Sequence, residues 1–257
     1  MMIQPRAPRS LPVSQQSRCE KQRAIINWSC FIARVLYRSA RPDRRRRFPL
    51  HIETRCGGST APLNGSRYCP TTSAILKLNA FPDTSVCQAT ATAAMAKLND
   101  ADTLIFDLRD NRGGFPSMVS LIAAYLFDHP EYMYCPLENT TAESWTHSPI
   151  PGNKLANKPV YVLTSPRTIS AAEEFTYDLK MLKRATLVGE TTAGANHAAN
   201  LHAIGDNFYV ATVEVRAINP YSKYNWNDTG VDPDFKVRAP DALKAALKLA
   251  GERLHAK

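Results

Sequence analysis

Apolar positions along the chain fall into short unbroken runs separated by stretches with helical spacing. Residues 74–78 (Ala-Ile-Leu-Lys-Leu), 103–108, 159–164 and 185–189 each read as a strand. Residues 86–98, 117–127 and 171–182 have the spacing of helices, and 241–254 close the chain as an amphipathic helix. Residues 207–216 alternate and predict a longer strand, whereas 128–158 carry four prolines and read as a surface excursion. An unbroken apolar run is what a strand needs when both of its faces are covered. Strands alternating with helices therefore predict an α/β domain around a largely buried sheet.

This pattern begins near Ser73 and is absent before it. The chain of 257 residues carries a net charge of +9, which taken whole suggests an acidic partner such as nucleic acid or a membrane surface. The charge is not evenly spread. Residues 1–70 hold 14 Lys and Arg against 3 acids, and residues 71–257 hold 18 against 20. The near-neutral remainder has no basic stripe, so nucleic-acid binding is not expected of it. The run Arg44-Arg45-Arg46-Arg47 fits a nuclear signal or a phosphate-binding arm, and its Arg-rich, acid-poor surroundings also fit an organelle transit peptide. With no period of either kind, residues 1–72 are expected to be a poorly structured or non-native basic extension. Residues 73–257 form the expected domain.

Cys19, Cys30, Cys56 and Cys69 are irregularly spaced, without a Cys-x-x-Cys pair or a His at ligand spacing, so no metal site is expected. Whether Cys87 or Cys135 pairs with one of them is open. No apolar run approaches the roughly 20 residues of a membrane-spanning helix, and no secretory signal is legible.

Three turns at strand ends could carry chemistry. In Asp107-Leu108-Arg109-Asp110-Asn111-Arg112-Gly113-Gly114, the glycine pair can bring bare N–H groups to an oxyanion or simply form a tight turn. No phosphate-binding glycine motif is present. In Thr164-Ser165-Pro166-Arg167-Thr168-Ile169-Ser170-Ala171-Ala172-Glu173, a serine stands between a buried strand and a helix. Amide donors and the positive helix end there suit a nucleophile whose attack creates negative charge. Ser170-x-x-Glu173 is also a capping box, which requires no chemistry. The third turn, Asn227-Asp228-Thr229-Gly230-Val231-Asp232-Pro233-Asp234, offers carboxylates that equally suit a plain turn. His197 follows Thr191-Thr192-Ala193-Gly194-Ala195-Asn196 in what reads as a flexible loop, and could act as a base.

Together with Arg184-Ala185-Thr186-Leu187-Val188-Gly189-Glu190, these segments in this order resemble the tail-specific (C-terminal processing) serine protease family. The nearest branch is similar to interphotoreceptor retinoid-binding protein. The resemblance covers residues 74–250. It implies a ββα-superhelix core of the Clp protease and crotonase type, and hydrolysis of polypeptide substrates without metal or cofactor. By position it makes Ser170 the nucleophile and assigns the oxyanion hole to the N–H of Ala171 with that of Gly113 or Gly114. The Lys that serves as base in the Ser/Lys branch is replaced by Ala195. The His and Glu of the tricorn-like branch fall on Lys77 and Asn227. His197 is then the expected substitute base, and Lys77 the second choice provided that burial lowers its pKa. The alternative is a catalytically impaired relative that binds an apolar small molecule or peptide in the same cleft. A PDZ domain is not expected within residues 1–72, and the family implies a cell-envelope or exported setting.

Overall fold

The apolar runs become the middle of one sheet because helices cover both of its faces. In the computed structural model the described residues are 51–56, 72–134, 144–203, 209–216 and 218–255. Among them the strands are His51–Cys56 (β1), Thr72–Lys77 (β2), Thr103–Asp107 (β3), Tyr132–Tyr134 (β4), Ser144–Trp145 (β5), Val160–Thr164 (β6), Thr186–Gly189 (β7), His197–Ala203 (β8), Tyr209–Arg216 (β9) and Phe235–Lys236 (β10). The helices are Thr84–Ala96 (α1), Pro116–Ala124 (α2), Ala171–Met181 (α3) and Ala242–His255 (α4). Residues 49–202 and 211–257 make one compact unit, which holds the main sheet and all four helices.

The main sheet runs β1-β2-β3-β6-β7-β10, with every pair parallel except β1 with β2. Successive side chains leave a strand on opposite faces. Leu104 and Phe106 of β3 thus join Ala74, Leu76, Val160, Val162 and Leu187 in a core shared with α1, α2 and α3. Ile105 joins Ile75, Tyr161, Leu163 and Val188 on the other face. There α4 presents Ala242, Ala246 and Ala250, one stripe of small residues four apart that lets the helix lie close to the sheet. The α/β class read from the sequence is the class observed.

The differences are local. Nothing in the pattern predicts a strand at residues 51–56, yet β1 pairs along the whole of β2, from His51 opposite Lys77 to Cys56 opposite Thr72. An antiparallel neighbour thereby covers an edge that β2 would otherwise present. The expected flexible loop at His197 is instead β8, which pairs with β9. Its Ala- and Asn-rich sequence lacks apolar alternation, so pairing rather than local propensity makes it a strand. The proline-rich excursion contains the short β4–β5 pair. The Arg44–Arg47 run, Cys19, Cys30, Cys69 and Cys135 lie outside the described residues.

Candidate active site

Parallel strands deliver their C-terminal ends to one edge of the sheet, where α/β proteins place their sites. The register sets Lys77 opposite Asp107, Asp107 opposite Leu163 and Thr164 opposite Gly189. The turns that follow are sewn together directly. Thr168 Oγ1 donates to the Leu108 carbonyl at 2.9 Å and Ser165 Oγ to that of Arg109 at 2.5 Å. Ile169 N–H reaches the Asn111 carbonyl at 3.2 Å, and Ala193 N–H that of Thr168 at 3.0 Å.

Ser170 stands exposed at the entrance to α3, with φ 61° and ψ −125°. An ordinary N-cap residue has extended backbone angles. A non-glycine residue in this region carries strain of about 1–3 kcal/mol, which the surroundings must hold. They do so from two sides. A Cβ on Gly113 (φ +83°) would lie 2.7 Å from Ser170 Cβ, 2.8 Å from the Ile169 carbonyl oxygen and 3.1 Å from Ala171 N. Only glycine lets the 107–114 turn approach the serine this closely. Gly114 packs as tightly against the Phe81 backbone, where a side chain would collide with a carbonyl.

The two glycines differ in their donors. Gly113 N–H donates to Asn111 Oδ1 at 2.8 Å. Phe81 N–H donates to the Gly113 carbonyl and Phe115 N–H to that of Phe81, both at 2.8 Å, so this ladder leaves the N–H of Gly114 out. Ala171 is the first residue of α3, where N–H groups have no partner within the helix. Among the described residues, neither Gly114 nor Ala171 donates its N–H to an acceptor. Of the two glycines, Gly114 is thus the one whose N–H has no acceptor among the described residues.

On the other side of the serine stands Glu173, fully buried. Its Oε2 accepts from Ser170 N–H and Ala195 N–H, each at 2.9 Å. Its Oε1 accepts from Gly194 N–H at 2.6 Å and Thr192 Oγ1 at 2.5 Å. Thr192 Oγ1 in turn accepts from Val231 N–H at 2.7 Å. One carboxylate thus joins the serine turn to the 191–196 loop and, through Thr192, to the Gly230-Val231 turn. The sequence displayed Glu173 only as half of a capping box. Its other partners lie 19 to 22 residues on, a distance at which no local pattern reports contact.

The remaining charged groups form a separate network. Lys77 Nζ binds Asp110 Oδ2 at 2.7 Å, and Arg167 binds Asp110 Oδ1 at 2.5 Å. Hydrogen bonds from Lys77 and then Arg167 hold the Asp110 carboxyl below its usual range. The Lys77 side chain is 37% exposed, so the burial that a base role for it requires is missing. Asp107, nearly buried, is bound by Arg109 through Nε at 2.8 Å and Nη2 at 2.7 Å. Ala195, at the position of the family lysine, is tied to Glu173 through its backbone. His197 opens β8 two residues further on, and its side chain lies outside the described residues. Asn227 Oδ1 accepts from Asn196 N–H at 3.3 Å, a structural contact within the same loop cluster. Among the described residues no group of three or more His, Cys, Asp or Glu could hold a metal ion, and no helix is long and apolar enough to cross a membrane.

A mostly parallel α/β sheet that ends in a strained serine at a helix entrance defines the class of α/β proteins with a strand–turn–helix serine site. Residues 72–237 match Peptidase family S41, and the chain belongs to that family. It is 31% identical over 140 residues to the carboxyl-terminal-processing protease of Synechocystis sp. (strain ATCC 27184 / PCC 6803 / Kazusa), covering 54% of this chain and 32% of that one. A probable CtpA-like serine protease of Staphylococcus haemolyticus is 22% identical over 166 residues, 65% of this chain and 33% of its own. The chain thus spans about a third of the length of these relatives. Among solved structures, the photosystem II D1 C-terminal processing protease superposes with a TM-score of 0.62 at 22% identity, over 81% of this chain and 54% of that one. Mature CPAF complexed with lactacystin gives 0.61 at 15% identity, over 73% and 53%. At these identities the likeness is one of fold.

Proposed function

We propose that this chain is a serine-type peptidase that hydrolyses peptide bonds of polypeptide substrates, with Ser170 as nucleophile. The observation that carries this reading is the strained, exposed Ser170, held between Gly113 and Glu173 with the unpartnered N–H groups of Gly114 and Ala171 nearby. Ser170 Oγ attacks the scissile carbonyl carbon and passes its proton to a base. The oxyanion then formed accepts hydrogen bonds from Gly114 and Ala171, whose N–H groups have no other acceptor among the described residues. Collapse expels the amine, which takes up the proton, and water releases the acyl group by the same steps. His197 is the base in this proposal, since a neutral imidazole suits proton transfer near neutrality. Glu173 touches no reacting atom; it positions Ser170 and the 191–196 loop. A cell-envelope or exported setting completes the proposal, with a domain that takes in β1, so that the boundary expected near residue 72 falls ahead of His51.

A fluorophosphonate probe tests it. The intact protein should be labelled and Ser170→Ala should not, while His197→Ala should slow labelling by about 10²–10⁴-fold. Absence of labelling in the intact protein would overturn the peptidase reading in favour of a cleft that only binds. Full-rate labelling of His197→Ala would remove His197 as base.

A further inference from the structure

A second polar feature lies at the opposite edge of the sheet. There, at the N-terminal ends of β6 and β7, a cavity of about 170 Å³ is lined by Lys158, Val160, Lys183, Arg184, Thr186 and Arg253 among others. A five-residue strand at about 3.3 Å per residue puts it some 16 Å from the serine edge. Four of its lining residues are cations and none is an acid. Glu252, beside Arg253 in the sequence, is engaged by Lys248 one helical turn away at 3.7 Å.

The cations are only partly compensated. Arg184 donates through Nε to the Leu126 carbonyl at 2.5 Å and through Nη2 to those of Leu155 and Lys158 at 3.1 and 3.0 Å. Its Nη1 makes no hydrogen bond among the described residues. Burial and then the neighbouring Arg253 pull the Arg184 pKa down to about 10, so the guanidinium stays charged at neutral pH in surroundings that disfavour it. Lys158 Nζ is held by the carbonyls of Asn99 and Ala101. The Arg253 guanidinium offsets part of the rise that burial gives the Tyr161 hydroxyl pKa, and exposed Lys183 forms no ion pair among the described residues. Carbonyl dipoles satisfy hydrogen bonds, but they leave the net charge of the cavity uncancelled.

We propose that this cavity binds a phosphate-type dianion, either free phosphate or the phosphomonoester head of a lipid. The remaining Nη1 of Arg184 and the guanidinium fork of Arg253 suit a tetrahedral oxyanion. A volume of about 170 Å³ admits such an ion with attached water, each water taking about 30 Å³. Binding would lock the ends of β6 and β7 to the last turn of α4. The proposal is independent of the peptidase reading.

The test uses the full chain and the double variant Lys183→Asn/Arg253→Gln. Both positions are exposed and lie outside the catalytic machinery. Asn tolerates the φ of 53° at position 183. Inorganic phosphate at about 10 mM should raise the Tm of the natural chain by about 2–4 °C over chloride at matched ionic strength, and the double variant should lose that rise. Equal rises in both proteins would overturn the proposal, since they would reflect general salting effects or the basic residues 1–70. Vesicles of phosphatidylcholine with phosphatidic acid separate the sources. Retention that the double variant loses points to the lipid head, and retention by neither protein, with the phosphate rise intact, points to the free ion. Should the double variant not fold, either single substitution must at least halve the phosphate effect.

Discussion

Glu173 and Glu174 are neighbours at the start of α3, both buried, and the two faces of the helix treat them in opposite ways. Glu173 meets four donors, and in meeting them it fastens three loops around Ser170. Glu174 meets none among the described residues. Burial, and then Asp178 one turn on, raise its pKa well above the usual carboxylate range. Asp178 is also pushed well up by burial, although Asn219 Nδ2 donates to its Oδ1 at 2.9 Å; its Oδ2 has no partner among the described residues. Burial alone therefore says little about what a carboxyl does. The donors aimed at it decide whether it organises a site or sits as a neutral acid in the core.

The comparison can be broken at several points. Glu173→Gln should have the largest effect, because either amide orientation turns an NH₂ toward two backbone or hydroxyl donors. A stability loss of about 2–6 kcal/mol by chemical denaturation should accompany a fall in probe labelling of about 10²-fold. Stability and labelling both unchanged would mean that the four bonds do not hold the loops. Gly113→Ala follows: with φ +83° and Ser170 Cβ in the way, it should cost about 1–3 kcal/mol and displace the serine enough to abolish labelling. On the other face, Asn219→Ala removes the donor to Asp178 and the acceptor for Tyr221 and Ser222 N–H. It should lower stability by about 1–3 kcal/mol with a smaller effect on labelling.

Glu174→Gln gives the smallest effect and the opposite sign. A carboxyl whose folded pKa lies above its unfolded value of about 4 favours folding at acid pH and loses that contribution as pH rises through the folded value. The natural chain should therefore lose stability toward alkaline pH. The Gln variant should match it near pH 4 and exceed it near pH 8 by about 2–4 °C in Tm. Equal Tm values throughout would show that Glu174 is not buried as a neutral acid.

The central sheet was legible because a strand covered on both faces must be apolar along its length, and residues 103–108 and 159–164 say so without context. The turns were legible as turns, and Ser170 with Gly113-Gly114 stood out by position. What escaped were mostly features that arise only on assembly. One feature that went unread is local: Asn111 takes up the N–H of Gly113 two residues on, a turn that Asn-x-Gly itself signals. The reach of Glu173 to Gly194 and Ala195 spans the rest of α3 and the whole of β7. β1 and β8 are strands by pairing with the next strand along the chain, and that pairing leaves no mark on their own periodicity. The surroundings of Lys77 were not legible either: Asp110, 33 residues away, binds its ammonium at the sheet edge.

The backbone of Ser170 has a further consequence. At φ +61°, glycine would sit there with less strain, so Ser170→Gly is a change the fold itself would welcome. Random substitution acting on stability alone drifts toward such relaxed residues. A chain that still carries serine at this turn, clamped by a glycine on one side and a buried carboxylate on the other, keeps its hydroxyl uphill of its own thermodynamic preference. On the proposed function, what is kept at residue 170 is chemical rather than architectural.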